Sequence, residues 1–133
     1  MADQGLVTVR STHDFSTTLE RLLAALKEKN VTVFSRIDHA AGAASAGLPM
    51  RPTTVVIFGN PAAGTPLMQA AQTAGIDLPL KALVWQAADG AVNLSYNEPA
   101  WIAMRHGLGS EVNQTLAVLT GFLKSLAAQA TGG

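Results

Sequence analysis

Cysteine is absent from this 133-residue chain, which excludes disulfides, zinc-thiolate centres and cysteine nucleophiles. Charged residues make up only 14% of the chain, against about a quarter in an average globular protein. The nine basic and nine acidic residues balance to zero net charge, so there is no global attraction to nucleic acid or to an anionic membrane. No apolar run approaches the roughly 18 residues of a membrane span, and no basic start followed by an apolar stretch opens the chain. We therefore expect a cytoplasmic protein with no nucleic-acid or membrane partner.

Apolar residues, in contrast, are plentiful, at 48% of the chain. A chain of this length normally builds one hydrophobic core, so we predict a single domain over residues 1–133. Its ordered part should cover about residues 5–128, followed by a flexible tail at 129–133. Because few charges accompany this apolar content, we also expect part of the apolar surface to lie in a homodimer interface.

Hydrophobic periodicity predicts an α+β fold. Leu6–Arg10 alternates as a strand does, Phe15–Leu26 has helical spacing, and Thr53–Phe58 is an apolar run typical of a central strand. Asp89-Gly90 joins two further strand-like segments and is a strong hairpin signal. The hairpin favours a mixed or mostly antiparallel sheet of about five strands with helices on one face, in the order β-α-β-(α)-β-α-β-β-α-α.

Several blocks of sequence agree in order and spacing with one known family. They are Arg36-Ile37-Asp38-His39-Ala40, Arg51-Pro52-Thr53-Thr54, Phe58-Gly59-Asn60-Pro61, Gly64-Thr65-Pro66-Leu67-Met68-Gln69-Ala70, Asp77-Leu78-Pro79-Leu80-Lys81, Val84-Trp85 and Ser95-Tyr96-Asn97. Over about residues 5 to 125 the chain thus resembles domain-of-unknown-function family 302. The resemblance implies an α+β fold of the TATA-box-binding-protein-like class, found as dimers and without an established activity.

The stretch from Gly59 to Gly64 is predicted to be a loop between a strand and a helix, a context in which backbone N–H groups can hold an anion. Thr65 stands where a phosphate-binding loop would have its lysine, which argues against nucleotide hydrolysis. Two readings remain open. Asn60, Gly64 and Thr65 hold a carboxylate or phosphate, or the glycines only form a tight turn.

A second group of candidates lies on the hairpin. Lys81 and Trp85 share one strand face because side chains repeat every two residues, and Tyr96 lies on the partner strand. Together they could line a pocket with one cation and an aromatic wall, although a lysine at a polar rim explains the same pattern. The leading hypothesis combines both groups: Asn60, Gly64, Thr65, Lys81, Trp85 and Tyr96 bind a small anionic or amphipathic ligand without catalysis.

Two alternative functions are a small enzyme, which would depend on a histidine, and a structural protein-interaction module. In a small enzyme, His39 would act as acid or base, Asp38 would orient it, and the Gly64-Thr65 amides would stabilise an anion; Asp38 is equally well explained as a helix N-cap. No His-x-x-x-His pair or acidic cluster occurs, so no metal site and no cofactor is predicted. Haem or a metal held by His39, His106 or Met68 remains the cofactor alternative, and a structural protein-interaction module is the third function.

Overall fold

The computed structural model describes residues 3–132, which contain one antiparallel sheet of five strands. The strands are β1 (Leu6–Arg10), β2 (Thr32–Asp38), β3 (Thr53–Gly59), β4 (Leu80–Gln86) and β5 (Val92–Asn97). They lie in the order β1-β5-β4-β3-β2, and every neighbouring pair is antiparallel. The α+β prediction, with its order of elements and mostly antiparallel sheet, is confirmed.

Five helices accompany the sheet: α1 (Phe15–Glu28), α2 (His39–Ser45), α3 (Pro61–Ala70), α4 (Pro99–Arg105) and α5 (Asn113–Thr131), with 3-10 turns at Asp3–Gly5, Gln72–Ile76 and Ser110–Val112. The flexible tail predicted from residue 129 is wrong as far as Thr131, because α5 continues to that residue and Ala130 is fully buried. Met1, Ala2 and Gly133 of the predicted domain lie outside the described residues. Among the helices of residues 3–132, none has the length and apolar content needed to cross a membrane.

Alternating side chains give the sheet two different faces. On one face, side chains such as Val56 and Phe58 of β3 and Val84 of β4 are fully buried. They pack beneath α1 and α5, and Phe58 meets Phe122 of α5 edge to face with ring centroids 6.1 Å apart. The intervening residues form the other face, here called the open face. This division follows from the two-residue period of a strand.

The segment between β1 and α1 holds the end of α5. The N–H of Thr12 donates to the carbonyl of Thr131 at 2.8 Å, and Nε2 of His13 lies 2.5 Å from the carbonyl oxygen of Gly132. Nε of Arg21 donates to the carbonyl of Gln129 at 2.9 Å. The last carbonyls of a helix have no partner within the helix, so these contacts cap α5 and fix it against α1.

Residues 32–50, which comprise β2, α2 and the segment after α2, form an exposed arm at one edge of the sheet. All seven residues of β2 are exposed, and α2 has no buried residue. Large apolar side chains are exposed along it, namely Val33, Phe34, Ile37, Leu48 and Met50. A short helix without a packed face gains little from tertiary contacts, so α2 adds little to the stability of the fold.

Candidate functional site

The stretch Gly59–Gly64 is not a loop, contrary to the sequence prediction, because α3 begins at Pro61. Asn60 is the N-cap, and its Oδ1 accepts from the N–H of Ala62 at 2.9 Å. The N–H groups of Ala63 and Gly64 both donate to the carbonyl of Asn60, at 2.9 and 3.2 Å. The N–H of Gly64 proposed to hold an anion is therefore already used by the helix. An Asn-Pro pair, with the N-cap residue and a proline at the first helical position, was the signal for this start.

An apolar cleft of about 460 Å³ lies beside α3, between α5 and the beginning of β4. Its wall combines side chains from α3, α5, the start of β4 and the segment before it, the arm and the residue that precedes the arm: Val31, Phe34, Ala63, Met68, Leu78, Pro79, Leu80, Val118, Leu119 and Phe122. Asn60, Gly64 and Thr65 border the same cleft. This volume is in the range of small-molecule sites, which are mostly apolar with a few polar groups. Three of the six predicted binding residues thus meet at one cavity.

The other predicted residues lie elsewhere. Lys81 and Tyr96 border a second, more open depression on the open face, together with Leu6, His39, Val55, Ile57, Leu83, Ser95 and Asn97. Lys81 follows Leu80 in β4, and this one-residue step moves its side chain to the face opposite the core. The single pocket predicted to contain both groups is therefore divided between two places.

Trp85 and Tyr96 are explained by the packing of the sheet. Nε1 of Trp85 donates to Oγ of Ser95 at 2.9 Å, and that oxygen lies 2.8 Å from Oγ1 of Thr8. Tyr96 is a buried member of the core. Burial, followed by the nearby charge of Glu98, raises the pKa of the Tyr96 phenol, because desolvation disfavours the phenolate.

Asp38 and His39 do not form the predicted acid–base pair. Oδ1 of Asp38 accepts from the N–H of Ala41 at 2.9 Å, so this carboxylate caps α2. His39 borders the open-face depression, whereas Gly64 borders the apolar cleft. The enzyme arrangement that joined Asp38 and His39 to the Gly64-Thr65 amides is thus absent from the described chain.

His106 belongs to a side-chain cluster that sequence reasoning missed. Its Nε2 lies 2.6 Å from Oδ2 of Asp77, and its Nδ1 lies 2.9 Å from Oγ1 of Thr73. Arg105 also meets Asp77, with Nη1 at 2.9 and 3.0 Å from the two carboxylate oxygens. The separation in sequence, 33 residues between Thr73 and His106, hid this cluster from any spacing rule.

The three residues considered for haem or a metal occupy three separate places. His39 borders the depression, Met68 lines the cleft, and His106 is bonded to Asp77 and Thr73. Within residues 3–132, no group of three or more metal-type side chains converges on a common point.

Comparison with known proteins gives three kinds of match. The chain is 49% identical over 120 residues to the "Fluoride-specific ion channel FluC 1" of Brucella suis biovar 1 (strain 1330) and to that of Brucella abortus biovar 1 (strain 9-941). The match covers 90% of this chain but only 47% and 44% of those two proteins. The chain therefore spans less than half the length of these relatives.

The fold is also found in a solved structure. The crystal structure of an uncharacterised conserved DUF302 protein from Bacillus stearothermophilus superposes with a TM-score of 0.83 at 19% identity, covering 95% of this chain and 98% of that one. At this identity the likeness concerns the fold. The family model described as "Domain of unknown function DUF302" matches residues 7–126, and the chain is accordingly a member of the DUF302 family.

Proposed function

We propose that this protein binds a small amphipathic molecule in the apolar cleft. The observation that carries the proposal is the cleft itself: about 460 Å³ with a wall of aliphatic and aromatic side chains and a polar edge at Asn60 and Thr65. Apolar surface buried there gives roughly 25 cal/mol per Å² of binding free energy before the costs of association. An amide and a hydroxyl at the edge suit the polar end of such a molecule.

The wall favours a neutral ligand over an anionic one. Its polar side chains are those of Asn60 and Thr65, and no Lys, Arg or His borders the cleft among the residues described. Placing a carboxylate or phosphate against such a wall removes its hydration without supplying a countercharge, which is costly. Of the two ligand classes expected from the sequence, the amphipathic one therefore fits better.

Titration with 1-octanol and with octanoate, followed by amide chemical shifts, tests this proposal. We expect octanol to shift the amides of α3 and of residues 78–80, and octanoate to bind more weakly. A Cβ at Gly64 would lie 3.9 Å from Leu78 Cδ1 and from Met68 Cε, two wall side chains, so Gly64→Leu should fill the cleft and remove the shifts. Gly42→Leu is the matched control, because Gly42 is also helical and a Cβ there meets nothing within 4 Å. Octanol shifts that persist in Gly64→Leu would place the ligand elsewhere and refute the proposal.

We further propose that the arm pairs with the arm of a second copy to form a homodimer. Its support is the exposed edge strand β2 with the apolar side chains of Phe34 and Ile37 beside it. Such an edge is a template for pairing, and a two-fold axis would bury the same surface on both copies. Sedimentation of Ile37→Lys should show a monomer, whereas Leu6→Lys, on the opposite edge strand, should remain dimeric. A monomeric wild type, or a dimer lost only in Leu6→Lys, would contradict this assignment.

A second candidate function is that of an accessory region of a fluoride channel. It is favoured by the 49% identity over nearly the whole chain to relatives named as fluoride channels, in which more than half of the sequence lies outside the match. The test is fluoride efflux from liposomes that contain the Brucella suis relative, complete or without the matched region. We expect the shortened relative to conduct fluoride at an altered rate and this chain, added separately, to restore it. Equal efflux under all three conditions would eliminate the candidate.

A further inference from the structure

Thr73, His106 and Asp77 form a hydrogen-bonded chain that borders neither the apolar cleft nor the open-face depression. The side chains of His106 and Asp77 are 7% and 12% exposed, while Thr73 is exposed. The imidazole and the carboxylate are thus shielded from solvent, and the hydroxyl is accessible. A shielded base and carboxylate beside an accessible hydroxyl are expected where a base activates the hydroxyl and a third group orients that base.

For a neutral His106 ring, the hydrogen-bond pattern assigns one direction to each proton. A carboxylate only accepts, so the 2.6 Å contact with Oδ2 of Asp77 places a proton on Nε2 of His106. In the neutral ring Nδ1 is then an acceptor, and it receives the hydroxyl proton of Thr73 at 2.9 Å. The proton of Thr73 is therefore directed at a base whose tautomer is held by Asp77.

Arg105 and Trp101 hold the acidic end of this chain in place. Nη1 of Arg105 contacts both oxygens of Asp77 at 2.9 and 3.0 Å. The guanidinium in turn lies over the ring of Trp101, 5.7 Å from its centroid. With the carboxylate fixed from this side, its Oδ2 stays aimed at the imidazole.

We propose that Thr73 is a nucleophile that accepts short acyl groups from activated esters. In the first step Oγ1 of Thr73 bonds to the ester carbonyl carbon, the bond from that carbon to the leaving oxygen breaks, and the Thr73 proton passes through Nδ1 of His106 to the leaving oxygen. In the second step water attacks the threonyl ester, gives its proton to Nδ1, and the proton returns to Thr73 as the carboxylic acid departs. Atoms and charge balance without a further reactant.

The surroundings of Thr73 favour a short aliphatic acyl group. Thr73 and Ile76 are three residues apart in the 3-10 turn Gln72–Ile76, and side chains at this spacing lie on the same side of a 3-10 turn. The side chain of Ile76 is exposed, at 74%, so it offers an apolar contact beside the hydroxyl. The surface is open rather than enclosed, which suits an acyl chain of a few carbons.

The probe is p-nitrophenyl butyrate, with release of p-nitrophenol and peptide mapping of the acylated protein as readouts. We expect a butyryl group on Thr73 and a fall in p-nitrophenol release of roughly 100-fold in Thr73→Val, the lower end of general-base effects. Thr73→Ser should still react, and Thr32→Val is the matched control at an exposed threonine of the arm. We expect lysine acylation to be equal in all variants, and it serves as the internal standard.

The role of His106 needs a readout that a purely structural residue would not affect. His106→Ala should lose acylation of Thr73 and regain it when imidazole is added, since the vacated space admits the missing base. The double variant Thr73→Val/His106→Ala measures the reaction of imidazole with the ester in solution. A rate of p-nitrophenol release that is the same in Thr73→Val and in the folded wild-type protein would overturn the proposal, as would acylation of Thr73 that is unchanged in His106→Ala.

Discussion

The helix-covered sheet and the arm are built from similar residues but depend on different partners. In β3, alternate side chains are buried beneath α1 and α5, and Phe58 is completely enclosed. In the arm, β2 is exposed along its whole length and Phe34 is 52% exposed. One phenylalanine is thus buried by its own chain, whereas the other stays half exposed. The contrast shows that β-propensity alone does not distinguish a strand that is buried in the core from one that stays exposed.

The largest difference in stability should be that between alanine variants of the two phenylalanines. Phe58→Ala removes a fully buried ring that contacts Phe122, and we expect it to lower the free energy of unfolding by about 3–5 kcal/mol. Phe34→Ala, measured at a concentration that keeps the chain monomeric, should cost less than about 1 kcal/mol because the side chain is already half exposed. Urea denaturation of both variants checks this, and equal losses would show that the arm is packed as tightly as the core.

Two glycines with positive φ give the next largest difference. Gly5 has φ +80°, and a Cβ there would overlap the side chain of Trp101, whereas Gly47 in the arm has φ +75° and open space around it. Gly47→Ala should therefore lower the free energy of unfolding by only about 1–2 kcal/mol, the cost of placing alanine in a left-handed backbone conformation. Gly5→Ala should add roughly 1–3 kcal/mol for the overlap. Thermal unfolding of the two variants tests this order of stability loss. A lower melting temperature for Gly47→Ala than for Gly5→Ala would contradict the prediction.

Two helical glycines should show a smaller effect of opposite sign. Gly64→Ala places its Cβ at an ordinary 3.9 Å from Leu78 and Met68 and should raise the free energy of unfolding by up to about 1 kcal/mol. Gly42→Ala in α2 gains the same helix propensity, but we expect it to slow amide exchange within α2 with little change in global stability. Hydrogen exchange combined with denaturation distinguishes the two, and global stabilisation by Gly42→Ala would show that α2 unfolds together with the core.

The smallest effect concerns pH and the N-cap of α1. Oδ1 of Asp14 accepts from the N–H of Thr17 at 2.8 Å, and this bond lowers the pKa of Asp14 below the ordinary value of 3.8. A lowered folded pKa gives stability that is present above the unfolded pKa and is lost as the pH falls through the folded value. Asp14→Asn retains a cap and should flatten the decline in stability below pH 3.8. An unchanged acid profile would assign that decline to other carboxylates.

Sequence reasoning predicted the fold better than the sites, for a physical reason. Asp89-Gly90 and the alternation in Leu80–Gln86 are local signals, and the hairpin of β4 and β5 followed from them. A pocket depends on the face to which each side chain points. The step from Leu80 to Lys81 sends neighbouring side chains to opposite faces. For that reason, the residues that the sequence predicted to share one pocket lie at two different sites.

Other features were beyond any local signal. The pairing of β1 with β5 joins residues that are far apart in the sequence, such as Leu6 and Asn97. The meeting of Thr73, Asp77 and His106 depends on where the turn after α3 lies against the end of α4. Such contacts follow from tertiary packing and have no counterpart in the spacing of residues.

The contacts that cap α5 also bear on the order in which this domain folds. Thr12 and His13 bond carbonyls 119 residues further along the chain, and contacts of such long separation form late and slow the folding reaction. A chain emerging from the ribosome presents β1 and α1 first, and the part of α1 that packs against α5 stays uncovered until α5 has been synthesised. We expect nascent chains to be prone to aggregate through this uncovered apolar surface until α5 has emerged.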